Sequence, residues 1–306
     1  MDGILPLWKT RGMTSHDCVF QLRKILGTKK VGHTGTLDPE VEGVLPICIG
    51  KATRIAEYVT DAGKTYVGEV TFGYTTTTED QTGEIVEQQD IQPNSISLES
   101  IEQAVKELTG VIDQTPPMYS AVKVNGKRLY EYARKGEVVE RPTRTVTIYS
   151  FSLLTPLTFH EDTKTASLSF EVACSKGTYI RTLAVMLGEK LGLLSHMSKL
   201  VRTKSATFTK EDCVTLEYLK AEKDNNQDLT RYLLPLERGI SHLPKWEISD
   251  TVAEKVRNGA VLEAFREWPK GEDLVRFNYQ GKTIALYEQH TSKEGMWKPR
   301  KVIPSF

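Results

Sequence analysis

The sequence predicts an α+β fold in which a mixed, largely antiparallel sheet is flanked by helices, and three observations predict it. Apolar residues alternate with period two in several separated stretches. Helical periodicity appears between those stretches. The two kinds of segment come in irregular order, without the strict strand-helix alternation of a doubly wound parallel sheet. A chain of 306 residues has room for a main domain of about 200 residues and a smaller second one.

Taken in order, Thr14 or Ser15 can cap a first helix whose apolar positions Val19, Leu22, Ile25 and Leu26 recur at helical spacing until Gly27 stops it. From Lys64 to Gly73 the pattern changes to a strand. Tyr66, Val70 and Phe72 share one face, and Val67, Glu69 and Thr71 the other. Ile101, Ala104, Val105 and Leu108 mark a helix ended by Gly110. Leu168, Phe170, Val172 and Cys174 alternate as a second clear strand. A helix follows Gly177 with Ile180, Leu183, Ala184 and Leu187 inward. Lys220 to Asp228 is polar and Asn-rich, and beyond Ile240 the chain has strand signals of its own at Leu274–Asn278 and Thr283–Tyr287. The expected division is a main domain over residues 1–240 and a small β-rich domain over 241–306.

Composition removes whole classes. Hydrophobic residues make up 39% and charged residues 26%, with twelve Tyr, nine Phe and four Trp, which excludes disordered and collagen-like chains. The longest apolar runs, such as Val44 to Ile49, are far short of a membrane span, and Met1 to Leu5 lacks a basic segment leading into an apolar one. Neither export nor membrane insertion is expected. Cys18, Cys48, Cys174 and Cys213 lie far apart, so they read as reduced thiols of a cytosolic protein, with no zinc site.

Forty basic and forty acidic residues cancel, yet the charges are segregated. Between Lys64 and Lys106 there is no Lys or Arg, while eight acidic residues, Glu79 and Asp80 among them, leave that stretch at minus eight. From Met118 to Thr145 seven basic residues, including Lys123, Lys127 and Arg128, face three glutamates, with Tyr119, Tyr130 and Tyr132 interleaved. Basic side chains mixed with aromatics suit a phosphate backbone and exposed bases, and equally suit a solvated loop-helix face. The last stretch, with Lys293, Lys298, Arg300 and Lys301 against Glu294, is also basic.

Common catalytic motifs fail. Gly50-Lys51-Ala52, Gly63-Lys64-Thr65 and Gly281-Lys282-Thr283 lack the earlier glycine of a phosphate loop, and neither HExxH nor GxSxG occurs. The informative segment is His33-Thr34-Gly35-Thr36-Leu37-Asp38-Pro39, a polar loop that runs into the apolar Gly43-Val44-Leu45-Pro46. Gly35 permits a turn closed to other residues, and Pro39 restricts Asp38 to extended backbone. A carboxylate so presented suits a reacting group, although Asp-Pro also simply initiates turns.

With these blocks the sequence resembles the TruB family of tRNA pseudouridine synthases, in its bacterial form. The resemblance spans about the first 210 residues. It rests on His33 to Pro39, Gly43-Val44-Leu45, Gly50-Lys51-Ala52-Thr53 and Lys64-Thr65-Tyr66, and on Gly73 with Thr77, Asp80 and Gly83. It continues through Pro116 to Lys123 with Gly126, and Cys174-Ser175-Lys176-Gly177-Thr178-Tyr179-Ile180-Arg181. One departure is Lys9-Thr10-Arg11-Gly12-Met13-Thr14-Ser15, where Thr10 replaces the family's usual proline.

The resemblance implies a pseudouridine synthase core, a basic insertion over residues 118–145 that grips the T arm of tRNA, and a PUA-like C-terminal domain. The implied reaction converts the T-loop uridine at position 55 to pseudouridine without metal, nucleotide or redox cofactor. It carries over Asp38, Tyr66 and Arg181 as catalytic residues. Asp38 is the essential carboxylate, Arg181 favours its charged form if the two lie within about 4 Å to 6 Å, and Tyr66 stacks on the extruded base. It carries over His33, Gly35, Thr36, Tyr179, Leu200, Lys9, Lys64, Lys123, Lys127 and Arg128 as substrate-binding. Taken alone, Tyr66, Tyr179 and Leu200 would be core, His33 an exposed loop residue and Arg181 a solvated arginine. A monomer is expected. The competing classes are a non-catalytic tRNA-binding or RNA-folding protein of the same fold, and a base-releasing hydrolase.

Overall fold

The computed structural model describes residues 1–264 and 272–303. In chain order the first elements are β1 (Gly3–Lys9), α1 (Ser15–Leu26), β2 (Val31–His33), β3 (Glu42–Ile49), α2 (Ala56–Asp61), β4 (Lys64–Phe72), β5 (Tyr74–Thr76) and β6 (Ile85–Gln88). Next come α3 (Leu98–Glu107), β7 (Gly110–Gln114), β8 (Lys123–Val124), β9 (Lys127–Arg128), α4 (Leu129–Ala133), β10 (Arg144–Leu153), β11 (Thr158–His160), β12 (Thr165–Cys174), α5 (Ile180–Leu191) and β13 (Ser195–Ser205). The chain closes with β14 (Phe208–Thr209), α6 (Leu216–Asp224), α7 (Leu236–Gly239), β15 (Lys245–Glu247), α8 (Asp250–Arg257), β16 (Leu262–Glu263), β17 (Leu274–Tyr279), β18 (Lys282–Gln289) and β19 (Met296–Val302).

These elements form two compact units, one of residues 1–40, 44–62 and 205–306, the other of 41–43 and 63–204. In the second unit the strand order is β13-β4-β12-β10-β7, with β11 added to β12. β12 runs antiparallel to β4 and to β10, and β10 antiparallel to β7, while Glu42 and Gly43 pair in parallel with Val201 and Arg202 of β13. The sheet is therefore mixed and largely antiparallel, as its alternation predicts. Along β4 every second residue from Lys64 to Phe72 is buried. Val70 and Phe72 then meet Leu168 and Ala166 across the strand pair, which fixes the register, since a one-residue slip would turn the apolar set outward.

In the first unit α1 begins at Thr14, whose hydroxyl accepts from the Asp17 amide while Asp17 accepts from the Thr14 amide, and it ends at Gly27 in the left-handed conformation. This capping box satisfies two amides that an unflanked helix start leaves orphaned. Ile4, Val44, Cys48, Ile55, Val59, Phe208 and Ile240 pack into one buried cluster. A separate five-stranded sheet, ordered β15-β17-β18-β19-β16, surrounds Val256, Val275, Phe277, Ala285 and Tyr287, with the Phe277 and Tyr287 rings stacked at 4.4 Å. It contains both strands expected near the C-terminus, while residues 265–271 and 304–306 of the expected 241–306 domain lie outside the described residues.

One local expectation needs correction. The helix over Ile101 to Leu108 ends at Glu107 with Leu108 as its cap, and Gly110 opens β7 instead of terminating the helix. The polar Lys220–Asp228 segment is helical through Asp224, because Leu216 and Leu219 bury one face of α6. Among the described residues no helix is long and apolar enough to cross a membrane.

Candidate active site

The loop carrying Asp38 is fixed by its neighbours on both sides. Before it, the amide and hydroxyl of Thr34 donate to the Pro46 carbonyl at 3.2 and 3.0 Å. Gly35 adopts φ 141°, a conformation closed to other residues, and its amide donates to His33 Nδ1 at 3.4 Å. Adjacent to Asp38, the Leu37 amide donates to Ser15 Oγ at 2.9 Å. Beyond it, the Pro39 carbonyl accepts from the Gly12 amide at 2.9 Å and from Lys9 Nζ at 3.1 Å. Asp38 is half-buried within this frame, and Thr36 is exposed.

Lys9, expected to touch substrate, is fully buried, its ammonium also donating to the Thr10 carbonyl at 3.1 Å. An ammonium so enclosed supports the loop from within. The chain keeps this support with Thr10 in place of proline.

In the second unit Tyr66 and Lys64 occupy the buried face of β4, 7% and 8% exposed. Tyr66 lies opposite Val172 and Lys64 opposite Cys174, whose thiol burial pushes up to about 11. Leu200 is buried and packs close to Gly68, where a Cβ would stand 2.6 Å from Phe170 Cζ and 3.1 Å from Leu200 Cδ1.

Arg181 is 5% exposed, so the solvated arginine that helical periodicity alone suggests is wrong. Its Nη1 donates to the Thr78 carbonyl at 2.8 Å and its Nη2 to the Tyr119 carbonyl at 3.0 Å, with Asp80 Oδ2 at 3.7 Å from Nη1. A buried guanidinium is tolerable only with such partners, because removing one leaves an uncompensated charge. Asp80 is itself held, accepting from Thr78 Oγ1 at 2.7 Å and from the Thr82 amide at 2.9 Å.

Tyr179 is the N-cap residue of α5. The side-chain amide of Gln114, 3% exposed, grips both of its backbone groups: Oε1 accepts from Tyr179 N at 2.8 Å and Nε2 donates to Tyr179 O at 3.0 Å. Lys123, Lys127 and Arg128 are exposed on the β8–β9 hairpin, anchored by the buried Leu129 and Tyr132 of α4. Lys127 Nζ stands 5.5 Å from the Tyr132 ring centroid, and Arg128 Nη1 donates to Tyr130 Oη at 2.9 Å.

Sequence reasoning missed Gln114, the Thr78–Thr82 turn and the Tyr119 carbonyl. A signal for the turn exists in the acidic stretch, since Asp80 has no basic residue nearby in sequence and needs one from elsewhere. Gln114 and the Tyr119 carbonyl leave no such trace.

The same chain segments match known proteins. A model described as TruB family pseudouridylate synthase (N terminal domain) matches residues 23–180, and one described as tRNA pseudouridylate synthase B C-terminal domain matches residues 181–241. The tRNA pseudouridine synthase B of Listeria welshimeri is 57% identical over 305 residues, covering 99% of this chain and 98% of the relative. That of Bacillus subtilis is 53% identical over 306 residues with the same coverage. Among solved structures, a Cbf5-Nop10-Gar1 complex matches with TM-score 0.72 and 28% identity over 99% of this chain and 87% of the other. An H/ACA RNP bound to a substrate RNA containing 2′-deoxyuridine matches with TM-score 0.70 and 27% identity, over 99% and 85%. With identity above one half along nearly its whole length, the chain belongs to the TruB family and is a tRNA pseudouridine synthase.

Proposed function

We propose that this enzyme converts the T-loop uridine at position 55 of tRNA to pseudouridine, with Asp38 as its essential carboxylate. The observation that carries the proposal is the Asp38 loop, whose peptide groups at Thr34, Leu37 and Pro39 are all hydrogen-bonded to neighbouring elements. A rigid loop holds its carboxylate in one direction and spares the cost of ordering it during the reaction.

The reaction is an isomerisation. The bond from ribose C1′ to N1 breaks, C1′ joins C5 of the same base, C5 loses its proton and N1 gains one. Atoms and electrons balance with no external donor. The target nucleotide leaves the stack to be reached, and bases in RNA loops unstack at low cost. Asp38 supplies the carboxylate whether it attacks C1′, attacks C6 or takes a proton from the sugar. Arg181 supplies positive charge, Tyr66 stacks on the extruded base, and Tyr179 and Leu200 wall the base pocket. His33, Gly35, Thr36 and Lys64 contact the T loop and its nucleotide, Lys9 supports the Asp38 loop, and Lys123, Lys127 and Arg128 hold T-arm phosphates. Residues 241–306 form a PUA-like domain that adds RNA contact to a catalytic domain over 1–240. The enzyme works as a monomer in the cytoplasm.

The test is carbodiimide labelling and mass-spectrometric mapping of an unmodified tRNA transcript after incubation with the purified protein. Pseudouridine at the T-loop uridine, absent with Asp38→Asn, supports the proposal. Free uracil would indicate a hydrolase, and bound but unmodified tRNA a non-catalytic binder.

A further inference from the structure

Glu79 sits in the turn that holds Arg181 and has φ 63°. Left-handed backbone at a non-glycine residue is costly and persists only where the surroundings hold it. Its carbonyl accepts from the Met197 amide of β13 at 3.0 Å. Its carboxylate accepts from Thr182 Oγ1 at 2.6 Å.

Thr182 directly follows Arg181 in α5. The first turn of that helix has no acidic residue, and its N-cap Tyr179 makes no side-chain cap. Glu79 thus brings from a distant turn the negative charge that a helix start favours. Burial raises its carboxyl above the ordinary range, opposed by the Thr182 hydrogen bond and the charges of Arg181 and Arg141, with Glu189 acting in the same direction as burial. Arg141 belongs to the basic insertion, and its Nη1 donates to the Pro116 carbonyl at 3.1 Å, so its guanidinium is turned back toward the insertion's base.

We propose that Glu79 is a positioning residue for Arg181: it ties down Thr182, so that Asp80 and the Thr78 and Tyr119 carbonyls are left to hold the Arg181 guanidinium. The inference rests on Arg181 belonging to the reaction site.

The experiment compares the full-length wild type with Glu79→Gln and Thr182→Val, using an unmodified tRNA transcript. Single-turnover rate at saturating enzyme, tRNA Kd and Tm are read for each. Glu79→Gln should slow the reaction by at least about tenfold with Kd within about twofold of wild type, because it takes the charge from a hydrogen bond beside Arg181 and removes nothing that touches RNA. Thr182→Val should slow the reaction too, and it keeps the test sharp should Glu79→Gln melt early. A wild-type rate for Glu79→Gln or Thr182→Val overturns the proposal. A wild type that forms no pseudouridine takes the functional reading down first and this inference with it.

Discussion

The ammonium of Lys9 donates a 3.1 Å hydrogen bond to the carbonyl oxygen of Pro39, 30 positions along the chain and next to Asp38. A lysine at zero exposure is rare unless its charge meets acceptors. Here β1 carries it beneath the loop, so the first strand of the chain sets where the carboxylate stands.

Lys9→Met tests this link. The aliphatic stem is nearly matched in volume, but the Pro39 and Thr10 carbonyls are left without their charged donor. A hydrogen bond to a charged group contributes about 1.5–3 kcal/mol, and about 1.4 kcal/mol is tenfold in rate. Single-turnover rate should therefore fall by about tenfold or more while tRNA Kd moves by less than about threefold. Equal losses in both would return Lys9 to the RNA-contacting set.

Gly43→Ala should be severely destabilising. Gly43 has φ 131°, and a Cβ there would stand 2.7 Å from the Arg202 nitrogen, a backbone atom with no room to yield. Strain and collision together fall in the class of substitutions that cost about 2–5 kcal/mol. Thermal unfolding should show Tm lowered by several degrees or no cooperative transition, and a Tm within about one degree of wild type would show that β3 and β13 can part without loss.

How much of this could be read from the sequence depends on whether a residue's role is local. The α1 boundaries were legible because Thr14, Asp17 and Gly27 act within one helix. The β4 face was legible because period two leaves one arrangement that buries Tyr66, Val70 and Phe72. Arg181 was misread by periodicity because its partners, Thr78, Asp80 and Tyr119, lie 62 to 103 positions away, and nothing near it in the chain reports them. The support that Lys9 gives the Asp38 loop hid for the same reason, because its acceptor at Pro39 lies 30 positions away. Gln114 carries no charge or motif, and only the folded chain brings its amide to Tyr179.

The β8–β9 hairpin gives a salt-dependence prediction. Lys123, Lys127 and Arg128 are exposed within six positions of one another, and the buried Leu129 keeps the hairpin folded without them. Replacing all three with Gln should leave Tm unchanged and reduce the slope of log affinity against log salt by roughly 0.7 to 0.9 for each phosphate that is no longer neutralised. KM should rise with little change in kcat, since these groups hold RNA remote from the reacting bonds. An unchanged slope would mean that the hairpin faces away from the RNA.

Acid should destabilise the protein through His196 and His242. His196 is fully buried, its Nδ1 is 3.2 Å from the Tyr74 carbonyl and its ring packs 4.1 Å from that of Tyr74. Burial lowers its pKa below the ordinary 6.5, against the Tyr74 hydrogen bond and the charge of Asp80. His242, although exposed, is lowered in the same direction by partial desolvation, with Arg276 adding to it and Asp61 opposing. The unfolded chain then binds protons that the native state refuses, so the stability from these groups is present above pH 6.5 and is lost as pH falls through their depressed native values. Glu79 acts in the opposite sense, because its raised value lets the native state keep a proton that the unfolded chain has released, and its contribution fades as pH rises. Urea unfolding from pH 7 downward should show stability falling from about pH 6.5, and His196→Asn, whose amide can still donate to the Tyr74 carbonyl, should flatten that fall. A His196→Asn curve parallel to wild type would assign the acid loss to other groups.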